Sequence, residues 1–366
     1  MGGLFEKINV NVCEFKNNSY LCAMNNISNN PRRRTSLKDL AQELGVSIAT
    51  VSRALRSSPE IGIEMQQRVK ALAKKMNYRP NPFAQSLRRE APKMIGVVVP
   101  NLVTHYYAAV LDGIEDEASK VGYSIINANS HEDFGTETRA VDNFISMHVE
   151  GIVACLAQST TDYSHYMEIA EMGIPLVFFG RTCLPEQFSS VKANDDEAAQ
   201  EATQHLIDTG SRRIAFMGGP NHLDMVRRRK HGYLEALREN RLPIDRELVV
   251  CDKIDYQLAL DATKRLLERE DRPDAILAFN DIITFAAFSA IKEMKMRIPE
   301  DVALIGFTED PHAVYVTPRL STIEDQSFLM GQTACRLLLK NIGGDHTIYH
   351  EIVPQKVVIR DTSAKK

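Results

Sequence analysis

The 366-residue chain lacks the features that mark membrane-spanning and secreted proteins. No apolar run approaches the roughly 20 residues that a helix needs to cross a bilayer. The N-terminus has no long apolar core followed by a small-residue cleavage site. The six cysteines are scattered without a Cys-x-x-Cys pair, which fits a reducing compartment and disfavours both disulfides and a metal site. We therefore expect a cytoplasmic protein that contacts no membrane and binds no metal.

Signatures of common cofactor and catalytic sites are missing as well. No Gly-x-Gly-x-x-Gly opens the first βα unit, no Gly-x4-Gly-Lys-Ser/Thr phosphate loop occurs, and no His-Glu-x-x-His is present. The histidines His105, His131, His205 and His312 are scattered and fit surface or core positions better than a catalytic site. We expect no cofactor and no enzymatic activity.

The net charge of −4 conceals an uneven distribution of charge. Residues 32–91 contain 13 Lys/Arg and 5 Asp/Glu, a net charge of +8, whereas residues 92–366 have a net charge of −12. A basic segment joined to an acidic body is typical of a nucleic-acid-binding protein with a separate second domain. Chance clustering on a solvated helix is the alternative explanation.

Residues 1–34 differ from the rest of the chain in composition. They are rich in Asn and Ser, show no helical periodicity and end in three arginines. This composition predicts a disordered extension. Met24 offers an alternative start, in which case residues 1–23 are not translated.

Residues 35–80 have the pattern of a small helical domain. Apolar residues recur at spacings of three, four and seven, which predicts helices near 37–44, 48–55 and 64–76. A tight turn at Gly45 joins the first two helices, and Ser47 occupies the position of a helix N-cap. Two short helices joined in this way form the helix-turn-helix that places its second helix in the major groove of DNA.

Beyond residue 94, short apolar strands alternate with amphipathic helices. Strands are predicted at 95–99, 124–127, 151–155, 176–179, 214–217, 275–278 and 302–306, and helices between them at 107–121, 197–209, 229–240 and 258–269. Several of the strands are apolar throughout, as in parallel strands covered on both faces. The pattern predicts an α/β class with doubly wound parallel sheets, and the length suits two lobes better than one.

Several motifs carry a resemblance to a known family. In the head they are Leu40-Ala41-x3-Gly45-Val46-Ser47-x2-Thr50-Val51-Ser52-Arg53 and Asn77-Tyr78-x-Pro80-Asn81, and in the body they fall at 95–100, 214–220, 278–281, 305–307 and 320–323. With these motifs, the chain resembles the lactose-repressor/galactose-repressor (LacI-type) family of bacterial transcription regulators. The resemblance implies a helix-turn-helix DNA-binding head and a two-lobed, Rossmann-like effector domain similar to periplasmic binding proteins.

The resemblance assigns DNA contacts to the second helix of the head. The residues carried over to base edges are Ile48, Ala49 and Arg53, and those carried over to phosphates are Ser47, Thr50 and Ser52. Arg53 is the best candidate for direct readout because its guanidinium can bond both O6 and N7 of guanine. The alternative is a surface arginine beside Glu60.

The resemblance also implies a hinge helix in residues 81–91. Its minor-groove face would carry Asn81, Ala84, Gln85 and Leu87, with Leu87 wedged into a central base step. The alternative is an ordinary linker with Leu87 as a core contact.

A small-molecule site between the two lobes is a further implication of the resemblance. The residues carried over to it are Tyr106, Tyr107, Arg227, Arg229, Asn280, Asp281 and Thr308. Aromatic faces and hydroxyl-binding groups suit a sugar or nucleoside effector. Gly180 and Thr308 stand where the family often has Asp, which removes acceptors for sugar hydroxyls and leaves the identity of the effector open. The alternatives are core tyrosines, a solvated basic run at 227–230 and a helix cap at Asn280.

These features predict a homodimeric repressor of transcription that binds a palindromic double-stranded operator under the control of a small effector, possibly a carbohydrate. The expected domains are an extension (1–34), a head (35–80), a linker (81–91) and an effector and dimerisation domain (92–366). Its first lobe is expected at about 93–192 and 325–352, and its second at about 193–322 and 354–366. No leucine heptads follow residue 359, so a dimer is expected rather than a tetramer. A transporter's solute-binding protein and an enzyme are the competing classes.

Overall fold

A computed structural model describes residues 35–78, 93–308 and 310–364 of the chain. The chain divides into two compact units, a head that includes residues 35–78 and a body that includes the two later ranges. The expected extension at 1–34 and the hinge segment with Asn81, Ala84, Gln85 and Leu87 lie outside the described residues.

The head is a three-helix unit. Its helices are α1 (Leu37–Leu44), α2 (Ile48–Leu55) and α3 (Ile63–Lys75). Helix α1 begins with a capping box, in which the Ser36 side chain accepts from the Asp39 amide and the Asp39 carboxylate accepts from the Ser36 amide. It ends at Gly45, whose φ of 65° is the left-handed conformation that glycine adopts without steric cost. Ser47 then caps α2, which confirms the prediction from sequence.

The head buries a small apolar core at the junction of its helices. The fully buried side chains are Leu40, Val51, Ala54 and Val69. Because each helix contributes residues at helical spacing, one face of each helix is buried and the opposite face stays open to solvent. For α2, the open face carries side chains that the sequence predicts to contact DNA.

The body contains two six-stranded sheets within the described residues. The first comprises β1 (Met94–Val99), β2 (Ser124–Asn129), β3 (Gly151–Ala154), β4 (Leu176–Phe179), β5 (Ser189–Ala193) and β11 (His350–Val353). Its order is β11-β5-β4-β3-β1-β2 and every pair is parallel. The second comprises β6 (Ile214–Gly218), β7 (Val249–Cys251), β8 (Ala275–Ala278), β9 (Ala303–Phe307), β10 (Ser321–Glu324) and β12 (Lys356–Val358). Its order is β12-β10-β9-β8-β6-β7, with only β12 antiparallel.

Helices cover the faces of both sheets. They are α4 (His105–Lys120), α5 (Phe134–Ser146), α6 (Ser164–Glu171), α7 (Asp195–Asp208), α8 (Asp224–Glu239), α9 (Tyr256–Leu267), α10 (Asp281–Glu293) and α11 (Ser327–Ile342). Helix α11 returns from the second sheet to pack on α4 of the first. The two helices approach closely at Gly113 and Gly331, where a Cβ would meet a backbone oxygen of the other helix at 2.1 and 2.0 Å. None of these helices is long and apolar enough to cross a membrane.

The chain passes between the two lobes three times. The crossings follow β5, β10 and β11, so each lobe is built from separate stretches of sequence. The predicted α/β class and the parallel sheets are confirmed. Five strands escaped prediction (β5, β7, β10, β11 and β12) because they are three to five residues long and most contain polar side chains.

Candidate functional site

Helix α2 presents a polar and small-residue face to solvent. Ser47, Ile48, Ala49 and Arg53 are exposed, Thr50 and Ser52 are half-buried, and the intervening Val51 and Ala54 are buried in the head. The Ser47 hydroxyl lies 3.0 Å from the Thr50 amide and 2.8 Å from the Thr50 hydroxyl, which fixes the start of the helix. The residues of α2 and its cap that were predicted to contact DNA are therefore at least partly accessible to solvent.

Arg53 is held only loosely on this surface. Its Nε lies 3.4 Å from Oε2 of Glu60, and the two side chains remain 59% and 66% exposed. An ion pair this open to water contributes little stability. The guanidinium is free to leave Glu60 for a stronger partner.

A cleft opens between the two lobes of the body, with a volume of about 570 Å³ that includes its mouth. Its lining includes Asn101, Glu132, Cys155, Arg181, Ile254, Phe279 and Asp325, each of which follows the carboxyl end of a strand. Open α/β sheets bind ligands at this edge.

The cleft wall is partly aromatic. Tyr106 and Tyr107 approach from the first lobe with ring centroids 5.0 Å apart, edge to face. Phe279 and Phe307 approach from the second lobe on either side of Arg229, whose guanidinium carbon lies 5.0 and 3.7 Å from their ring centroids. Such surfaces can stack against the apolar face of a ring-shaped ligand.

Arg229 is buried and fully engaged. Its Nε donates to Asp195 at 2.7 Å, and its two terminal nitrogens donate to Asp325 at 2.9 Å and to the Phe279 carbonyl at 2.5 Å. Asp195 and Asp325 stand at two of the three crossings between the lobes. The neighbouring carboxylates raise the pKa of Arg229 against the opposing effect of its burial, so it remains a cation. Arg229 thus links the cleft wall, by hydrogen bonds, to two of the segments in which the chain crosses between the lobes.

The first lobe contributes a second arginine–carboxylate pair. Arg181 donates to the two oxygens of Glu132 at 2.7 and 3.1 Å and to the Leu156 carbonyl at 3.1 Å. Arg181 is buried and lies two residues after the end of β4, next to Gly180. Glu132 has a backbone φ of 59°, in the left-handed region, and lines the cleft.

Three polar groups in the wall have unsatisfied atoms. Oγ1 of Thr104, the Tyr106 hydroxyl and Oδ1 of Asp281 are buried without a hydrogen-bond partner among the described residues. Desolvation raises the pKa of Asp281 to about 7, against a hydrogen bond from Thr308 that lowers it. Asn280 caps α10 by accepting from the Ile283 amide at 3.0 Å. Unpaired groups of this kind favour a ligand that supplies hydrogen bonds.

The structure brings most of the sequence-predicted effector residues together. Tyr106, Tyr107, Arg229, Asn280 and Asp281 line the cleft. Tyr107 also belongs to the core cluster of the first lobe, and Tyr106 packs against it. Asn280 also caps a helix. These residues therefore have the structural roles given above as alternatives and line the cleft as well.

Two of the predicted residues do not line the cleft. Thr308 stands behind the wall, buried, and contributes through its bond to Asp281. Arg227 lies outside the cleft because it points away from Arg229 on the same helix. Its exposed side chain donates to the His222 carbonyl at 2.5 Å and pairs with Asp224 at 3.3 Å.

Glu132, Arg181 and Asp325 were missed by reasoning from sequence. Each is a charged residue within three positions after the end of a strand, which is a usable signal once the strand is known. Asp325 follows β10, one of the strands that escaped prediction, and its bond to Arg229 spans 96 residues. Glu132 and Arg181 are 49 residues apart.

Comparison with known proteins finds a matching family for the head and for part of the body. The family described as "Bacterial regulatory proteins, lacI family" matches residues 36–81, and a "Periplasmic binding protein-like domain" matches residues 203–363. The chain is 29% identical over 335 residues to catabolite control protein A of Priestia megaterium, covering 90% of this chain and 99% of that one. It is 32% identical over 304 residues to the ribose operon repressor of Bacillus subtilis (strain 168), covering 83% of this chain and 90% of that one. Among solved structures, a complex of the transcriptional regulator CelR with cellobiose aligns with a TM-score of 0.68 at 28% identity, over 90% of this chain and 100% of that one. The chain belongs to the lacI family of bacterial regulatory proteins.

Proposed function

We propose that the protein represses transcription by binding a palindromic operator through α2, and that an uncharged, polyhydroxylated molecule in the cleft controls this binding. The observation that carries the choice of effector is the cleft wall itself, where the Tyr106 hydroxyl and Oδ1 of Asp281 lack partners beside aromatic rings. The relatives support the class, since one is named as a ribose operon repressor and another is solved with cellobiose.

The charges of the wall favour a neutral effector. Arg181 is matched by Glu132, and Arg229 is matched by Asp195 and Asp325. A phosphate or carboxylate on the ligand would have to displace one of these carboxylates, and breaking a largely buried pair is costly. Hydroxyl groups need no such displacement, because they can donate to Asp281 and accept from Tyr106.

The proposed control is a population shift between arrangements of the two lobes. A ligand that contacts both lobes stabilises the arrangement in which both sets of contacts form. Couplings of this kind are typically about 1–3 kcal/mol. Two heads are needed because each reads one half-site, so we propose a homodimer on the operator.

We further propose that the protein acts in the cytoplasm by binding alone, without turnover of its effector. The named relatives are transcriptional regulators, a class that is not enzymatic. The proposed limits are a head at 35–80, a linker at 81–91 and an effector and dimerisation domain from residue 92. We also propose that the six residues of α2 and its cap contact the major groove of the operator. The proposed minor-groove contacts are Asn81, Ala84, Gln85 and Leu87.

The experiment is a competition between neutral and anionic ligands on operator binding. Fluorescence anisotropy of a labelled operator fragment is followed with the full-length protein in the presence of cellobiose, D-ribose and other neutral sugars, and of glucose 6-phosphate and galacturonate. We expect a neutral sugar to change operator affinity about 5- to 150-fold, and the anions to have no effect. A response to the anionic ligands alone would contradict the proposal.

A variant pair tests the site. Tyr106→Phe keeps the ring and removes the unpartnered hydroxyl, so we expect about 3- to 10-fold weaker sugar binding. Tyr315→Phe, at a tyrosine that is 74% exposed, is the matched control and should leave sugar binding unchanged. Equal sugar affinity in both variants would place the effector elsewhere.

A further inference from the structure

The loop after β3 is fixed to the first lobe by two carboxylates. We call residues 156–160 the catch loop. The Ala157 amide and the Thr160 hydroxyl of this loop donate to the Glu137 carboxylate, at 2.6 and 3.0 Å. Glu132 accepts the Gln158 amide at 2.6 Å. Glu137 is fully buried, and hydrogen bonds to a charged acceptor are the stronger kind. The loop is therefore a rigid part of the first lobe.

Gln158 extends from this loop to the second lobe. Its carbonyl accepts from Nε2 of His222 at 2.7 Å, and its side-chain Oε1 accepts from the Ile254 amide at 2.9 Å. His222 follows β6 and Ile254 follows β7, so the two bonds reach two neighbouring segments of the second sheet. One residue of the first lobe thus holds two segments of the second.

The bonds of Gln158 connect the two walls of the cleft. Glu132, which accepts the Gln158 amide, lines the cleft from the first lobe, and Ile254 lines it from the second. Glu132 also holds Arg181 in the wall. Gln158 itself does not line the cleft. The bridge therefore lies beside the cleft and bonds to one lining residue of each lobe.

We propose that Gln158 is a positioning residue that holds the walls of the cleft together and sets how often the two lobes open. The inference rests on the proposed function only in that the cleft is the effector site. The bridge closes the cleft in the absence of ligand, and a ligand that fits the closed walls binds the arrangement that Gln158 already favours. Loss of the amide oxygen leaves the Ile254 amide unpaired and favours opening.

The test uses a cysteine already present in the cleft. Cys155 lines the cleft and is 1% exposed, so a thiol reagent reaches it when the lobes part. Cys335, on the buried face of α11, is fully buried in the core of the first lobe and reports unfolding of that lobe. The full-length protein without ligand is treated with N-ethylmaleimide at fixed pH, and the modification of each cysteine is followed by peptide mass spectrometry.

Three variants accompany the wild type. Gln158→Leu removes the acceptor for the Ile254 amide, and Gln158→Glu restores an acceptor at the same reach. Ser159→Ala is the matched control, because its hydroxyl accepts from the Phe134 amide of the same lobe. We expect Gln158→Leu to modify Cys155 about 3- to 10-fold faster, with Gln158→Glu and Ser159→Ala near the wild-type rate and Cys335 unchanged throughout.

Each other outcome overturns the inference. An unchanged or slower Cys155 rate in Gln158→Leu means that the bridge does not hold the cleft. Faster modification of Cys155 and Cys335 together means that Gln158 serves general stability of the lobe. Failure of the proposed function would be seen as a lack of response to sugars in the operator assay, which this measurement does not use.

Discussion

Asp281 gives the body a stability that should fall as the pH rises. Its carboxyl group stands at the first turn of α10 in the cleft wall, with one oxygen buried and unpartnered. Desolvation raises its pKa to about 7, from an ordinary value of 3.8. The folded protein therefore keeps this proton at a pH where the unfolded chain has released it.

The direction and size of the change in unfolding free energy with pH follow from this difference in pKa. The contribution of Asp281 is fully present below pH 4, where both states are protonated, and is lost as the pH rises toward 7. A shift of about three pKa units corresponds to about 4 kcal/mol. The N-terminus of α10 favours the charged form by up to about 1 kcal/mol, which reduces this cost. We therefore expect wild-type stability to lose about 2 kcal/mol between pH 5 and pH 8 through this group.

The assay compares wild type with Asp281→Asn, which cannot ionise and keeps an oxygen for the Thr308 hydroxyl. The unfolding transition of the body is measured calorimetrically at pH 5, 6, 7 and 8. Because the other titrating groups are shared, the difference between the two proteins isolates residue 281. Asp281→Asn should gain about 2 kcal/mol relative to wild type from pH 5 to pH 8. A difference that stays flat over this range would refute the reasoning, since Asp281 would then ionise with an ordinary pKa.

Three further substitutions test the packing, the cap and the DNA surface. Gly331→Ala places a Cβ 2.0 Å from a backbone oxygen of α4 and should destabilise the body by about 2–3 kcal/mol, whereas Gly135→Ala, with no atom closer than 3.5 Å, should be neutral or stabilising in thermal unfolding. Ser36→Ala removes the capping box and should lower the stability of the head by about 1 kcal/mol in the same measurement. Glu60→Gln frees Arg53 and removes a negative charge beside the proposed DNA-contacting surface, so operator binding should tighten about 2- to 5-fold at unchanged stability.

The sequence pattern was most informative where a signal is local. The bounds of α1 and α2 and the Ser47 cap followed from apolar spacing and capping chemistry within a few residues. Strands such as β4 and β8 were predicted because they are apolar throughout and buried on both faces. Each of these features is decided by its immediate neighbours along the chain.

The missing parts depend on residues far apart in sequence. Strands β11 and β12 lie at sheet edges and carry exposed side chains, so their pairing is set by the lobe and not by their own pattern. The pairing of Arg181 with Glu132 requires β4 and β2 to be placed in one sheet first. Five of the seven effector residues predicted from the motif resemblance line the cleft. The resemblance assigned both Arg227 and Arg229 to the effector, but only Arg229 of these two neighbours on one helix lines the cleft.

The most direct test of the central claim is titration of labelled DNA from the protein's own upstream region with wild type, Arg53→Ala and Arg56→Ala. The salt concentration is set high enough to suppress nonspecific binding. Both arginines are exposed near α2, and each variant removes one positive charge, but only Arg53 lies on the proposed reading surface. We predict that Arg53→Ala loses about 10- to 100-fold in affinity for the specific fragment over a scrambled one, while Arg56→Ala keeps that preference. Equal preference in wild type and Arg53→Ala, or an equal loss in both variants, would contradict the assignment of α2 as the element that reads the operator.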